Sequence, residues 1–109
     1  MIFDLIKRLA AQNPNGFTAR IPSGELVTQG FAVSCEATQH SHDDDGLRKC
    51  IQHALTHDHI IGGWHNKADG KWYWDSSKIL TDRDEAAAFG REQGQIAFYD
   101  LTHADEIPL

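Results

Sequence analysis

Five of the seven histidines in this 109-residue sequence fall between His40 and His59. Imidazole is the side chain best placed to ligate a transition metal or to carry a proton near neutral pH. His53 and His57 stand four apart on a helical pattern, which stacks them on one face at metal-ligand spacing. His40, His42 or His59 would supply a third ligand, and Asp43 to Asp45 or Asp58 a carboxylate. That is the donor set of a metal-dependent hydrolase. Two features weigh against it. The apolar stripe of the same helix, Leu47, Ile51 and Ala54, turns His53 nearly opposite, towards solvent, with His57 at the flank. The glutamate of an HExxH motif is also missing. Catalytic metals sit in concave, partly dry pockets, so a metal at His53 and His57 is the lesser reading and no cofactor is expected.

Other chemistry-bearing residues have plainer explanations. Asp43-Asp44-Asp45 resembles a fragment of a cation loop but lacks the glycine and terminal glutamate of an EF-hand; acids at a helix start explain it better. Gly62-Gly63 precedes a strand-like segment, so it is not a phosphate cradle of the usual strand-to-helix kind. Cys35 and Cys50 fit no CxxC or disulfide spacing, and each falls on an apolar face where burial raises the thiol pKa and keeps it inert. Ser34, Ser41, Ser76 and Ser77 have no GxSxG elbow around them. Asp82 and Asp84 read as acids of a helix start. The sequence therefore leans away from an enzyme.

Residues 60 to 76 concentrate the aromatic surface. Trp64, Trp72 and Trp74 are all the tryptophans of the chain, and they flank the turn-forming run Asn66 to Gly70, the pattern of a β-hairpin. Trp72 and Trp74 share one strand face, Tyr73 and Asp75 the other. Placing the tryptophans inward avoids burying Asp75 without a charge partner. Tyr73, with Trp64, then becomes the candidate partner-binding surface, since exposed Trp and Tyr dominate interface hot spots. The formal net charge of −6 argues against a duplex-binding protein held by phosphate contacts, and the hairpin lacks the interleaved lysines and arginines of a single-strand binder.

The elements that position these residues follow from periodicity. Ile2, Leu5, Ile6 and Leu9 predict a helix over 2 to 12, ended by Asn13-Pro14. Phe17, Ala19 and Ile21 alternate as a strand. A turn at Pro22 to Glu25 leads to a second strand over 26 to 36, so residues 17 to 36 read as a hairpin. A helix from Asp43 to about His57 carries Leu47, Cys50, Ile51, Ala54 and Leu55. The aromatic hairpin spans 60 to 80, and Thr81 caps a third helix that Gly94 stops. A last strand covers 95 to 101. The order α-β-β-α-β-β-α-β predicts one α+β domain over 1 to 109. Its mostly antiparallel sheet has about five strands, two hairpins plus a C-terminal strand, covered by about three helices.

No apolar run reaches the 18 or so residues of a membrane span. The N-terminus places Asp4 before its basic pair, unlike a signal peptide. A cytoplasmic protein that binds neither membrane nor duplex nucleic acid is expected. Gly16-Phe17-Thr18, Gly30-Phe31-Ala32-Val33-Ser34, Ile61-Gly62-Gly63-Trp64, Tyr73-Trp74-Asp75-Ser76 and Gln95 to Leu101 occur in that order. Together, over about residues 16 to 107, the set resembles small uncharacterised open reading frames of bacterial prophages and conjugative elements. The resemblance implies a bacterial accessory protein of a mobile element and carries no catalytic residue with it. The expected function is a non-enzymatic interaction protein with a protein partner, the histidine-based hydrolase being the alternative.

Overall fold

The longest strand organises the molecule. In the computed structural model, which describes residues 1–109, Lys71–Leu80 forms a ten-residue strand, β5, and its two halves serve different neighbours. The chain runs α1 (Ile2–Gln12), β1 (Gly16–Arg20), β2 (Phe31–Ser34), β3 (Ser41–His42), α2 (Asp43–Leu55), β4 (Ile60–Asn66), β5, α3 (Arg83–Glu92), β6 (Ala97–Asp100) and β7 (Asp105–Pro108). All seven strands join one antiparallel sheet in the order β1-β4-β5-β2-β6-β7, with β3 paired to β5. The first half of β5 pairs β4, from Asn66↔Lys71 to Ile61↔Ser76. Its second half pairs β2, from Ser34↔Ser77 to Phe31↔Leu80. The α+β class and the mostly antiparallel sheet match the sequence reading.

All three helices lie on one side of the sheet, over the stripe that carries Ala19, Ile61, Trp74, Val33 and Phe98. Ile6, Leu9 and Ala10 of α1 and Leu47, Cys50, Ile51 and Ala54 of α2 bury against Ala19, Ile21, Ile61 and Trp74. Full burial of one such aliphatic side chain contributes about 1.5–3 kcal/mol. A second cluster forms under α3, where Ala86 meets Val33, Phe98 and Ile107, with Phe31, Leu80 and Phe89 packed around them. Asp82 caps α3, accepting hydrogen bonds from the backbone N–H groups of Asp84 and Glu85. Thr81 does not take that place: the carboxylate one residue later reaches the first free amides of the helix.

The expected hairpin over 17 to 36 does not form. After its turn the chain returns alongside β1 only as far as Val27, through hydrogen bonds from Arg20 N to Glu25 O at 2.8 Å and from Val27 N to Thr18 O at 2.8 Å. It then turns at Gly30, whose φ of 92° lies in the left-handed region, and crosses to the far edge of β5. There Phe31 and Val33 find apolar cover under α3. The neighbour that β1 pairs with is β4, in the register Gly16↔Trp64 to Arg20↔Ile60. The predicted strand over 26 to 36 shortens to Phe31–Ser34. The strand count is seven, not about five, because the short β3 and the C-terminal β7 were both missed.

Candidate functional site

With every helix on one side, the opposite face of the sheet is bare of helices, and loops rim a floor in which Gly62 and Ser77 are buried. Its inner rows are small residues: Thr18 of β1, Gly62 of β4, Ser77 of β5, Ala32 and Ser34 of β2, and Ala97 of β6. Together with the loop residues Leu26, Val27, Thr28, Leu101 and Ala104 they line a cup of about 750 Å³. Clefts of this size bury most of a drug-sized guest or a partner's projecting side chains. The exposed rings of Trp64 and Tyr99 line it as well, 57% and 40% accessible.

Asp75 is the acid of this cup. It lies in β5 on the face opposite Trp74, directly across from Gly62. A Cβ at Gly62 would sit 2.7 Å from Asp75 Oδ1 and 2.9 Å from Oδ2, so only glycine lets the carboxylate lie this close to the β4 backbone. The Ser77 hydroxyl donates to Oδ1. Burial pushes the carboxyl above the ordinary aspartate range, and hydrogen bonds with Ser77 and Ser34 draw it back only in part. Glycine also shapes the helix side of the same strand: a Cβ at Gly63 would come within 2.5 Å of the Trp74 ring. The adjacent pair Gly62-Gly63 thus seats a carboxylate on one face and an indole on the other.

Trp64 and Tyr73, the candidates named from sequence, stand opposite each other across β4 and β5. Their ring centroids are 6.0 Å apart, and His42 of β3 meets Tyr73 at 5.8 Å. The three rings form a ridge at one end of the bare face. The Tyr73 hydroxyl donates to Asp69 in the hairpin turn, which raises its pKa. Trp72 and Trp74 face the helices: Trp74 is 3% exposed, and Trp72 stacks on it at 5.1 Å. Sequence reasoning missed Asp75, Ser77, Ser34 and Tyr99 as site residues. Asp75 left one signal, a charge in mid-strand between aromatic and serine neighbours.

His57 is exposed at the flank of α2, as expected, whereas His53 is half-buried instead of turned fully to solvent. Its ring leans onto the sheet, where Nδ1 meets the Ser76 hydroxyl at 2.8 Å, and burial lowers its pKa, with the nearby His57 adding to the effect. His57 stacks on it at 3.7 Å and turns its Nδ1 to the His53 carbonyl oxygen at 2.7 Å. No group of three or more His, Cys, Asp or Glu side chains is placed to hold a metal ion. Cys35 and Cys50 are buried free thiols; burial raises both, Cys50 to about 11. The acids at the start of α2 are engaged in part, Asp44 with Lys7 at 2.9 Å and Asp45 with Arg48 at 3.3 Å.

Comparison with protein-family models, curated proteins and solved structures finds no match for this chain. No helix is long and apolar enough to cross a membrane.

Proposed function

We propose that this chain is a non-enzymatic binding protein whose protein partner docks on the bare face of the sheet. The observation that carries this reading is the cup itself: a concave, small-residue floor, a crowded carboxylate and exposed rings, all on the one face that no helix covers. Isolated exposed apolar residues are ordinary, but the exposed Trp64 and Tyr99 on one face together with a cup make a docking surface, with half-buried Tyr73 beside Trp64. The β7 edge is a poor alternative. At the outer edge, β7 has only four residues, two of them acidic, and ends at Pro108. The resemblance of separated segments to mobile-element reading frames adds an accessory role in a prophage or conjugative element.

The test is capture from bacterial lysate by three immobilised chains: wild type, Trp64→Ser/Tyr99→Ser, and a helix-side control, Lys49→Ser. A protein retained by wild type and by the control but lost from the double variant supports the reading. Retention that the double variant leaves unchanged sinks it.

A further inference from the structure

The cup carries charge of one sign. Asp75 and Glu106 are the only formally charged residues lining it; no lysine, arginine or histidine does. Asp75 has no ion-pair partner in the structure. A crowded carboxylate with only hydroxyl partners is costly to keep, and the sequence nonetheless holds a glycine at 62 that makes room for it. Trp64 is an exposed indole, the ring whose face attracts a cation most strongly.

Building on the docking reading, we propose that the protein partner inserts a basic side chain, an arginine, into this cup, where the Asp75 carboxylate accepts its hydrogen bonds and the Trp64 ring flanks it. The planar guanidinium fork donates two parallel hydrogen bonds to a carboxylate and is more weakly hydrated than an ammonium, so it loses less on entering a half-dry cup. The net charge of −6 favours encounter with a basic partner. The acids at Asp43 to Asp45 are a weaker competitor, because they are exposed and two of them already meet Lys7 and Arg48.

The probe is N-acetylarginine amide, titrated into ¹⁵N-labelled protein and followed by amide chemical shifts, beside its neutral isostere N-acetylcitrulline amide. The arginine compound is expected to shift the amides of Ala32, Gly62 and Ser77, and the citrulline compound to leave them in place. Asp75→Asn should weaken the arginine response by about tenfold or more, the size of a lost charge-assisted hydrogen bond. Equal shifts with both compounds, an arginine response that survives Asp75→Asn, or shifts confined to 43–45 would each overturn the proposal. If it fails while Trp64→Ser/Tyr99→Ser still releases a captured protein, the docking face stands and its guest is not basic.

Discussion

Trp74 and Tyr73 are neighbours in sequence with opposite surroundings, one ring in the core and one on the bare face. Truncating Trp74 to alanine removes a large buried side chain and is expected to cost about 3–5 kcal/mol. That is a large share of the roughly 5–15 kcal/mol available to a domain of this kind. Trp72→Ala should cost less, because Trp72 keeps part of its surface in water, and Tyr73→Ala about 1 kcal/mol or less. Gly63→Ala belongs with Trp74: its methyl would push into the indole and should cost about 1–3 kcal/mol. Urea denaturation of the four single variants checks the order, and a Tyr73→Ala more damaging than Trp74→Ala contradicts it.

At the level of elements, the β4–β5 hairpin is held on both sides, by β1 and by β2 with β3. Its amides, and those of β2, should therefore exchange with solvent far more slowly than those of Thr28 and Gln29, which lie on the crossing segment outside the ladders. Exchange at Thr28 and Gln29 as slow as in β5 would restore the longer strand that alternation suggested. The reasons for what was legible lie in the residues. Asn66 to Gly70 is local turn chemistry between two aromatic runs, so the hairpin could be read directly, and α1 and α2 followed from their apolar stripes. The pairing of β1 with β4 is non-local, set by which edge of β5 offers cover for Phe31 and Val33, and no window of sequence contains that. The segment Asp105–Pro108 has one apolar residue at a buried position, Ile107, too little alternation to announce a strand. His53 was misplaced because helical arithmetic measures direction from the stripe's centre, whereas Ser76 on the neighbouring strand draws the ring inward.

Across the whole molecule, the stability of the fold and the proposed binding role fall to opposite faces of one sheet. The helix side holds both hydrophobic clusters; the bare side holds the cup, the aromatic ridge and Asp75. Residues kept for binding commonly cost a fold some stability, and Asp75 allows that division to be measured. Its folded pKa is raised, so between the ordinary aspartate value and the raised one the folded chain binds the extra proton. Its contribution to stability therefore falls as pH rises through that window. Glu106 is the other carboxylate lining the cup. The direct test is the thermal midpoint of Asp75→Asn against wild type, near pH 7 and again near pH 4. The variant is expected to melt a few degrees higher near neutrality, with the gap closing in acid. A variant that melts lower near pH 7 would make Asp75 part of the scaffold and contradict its assignment to the binding face.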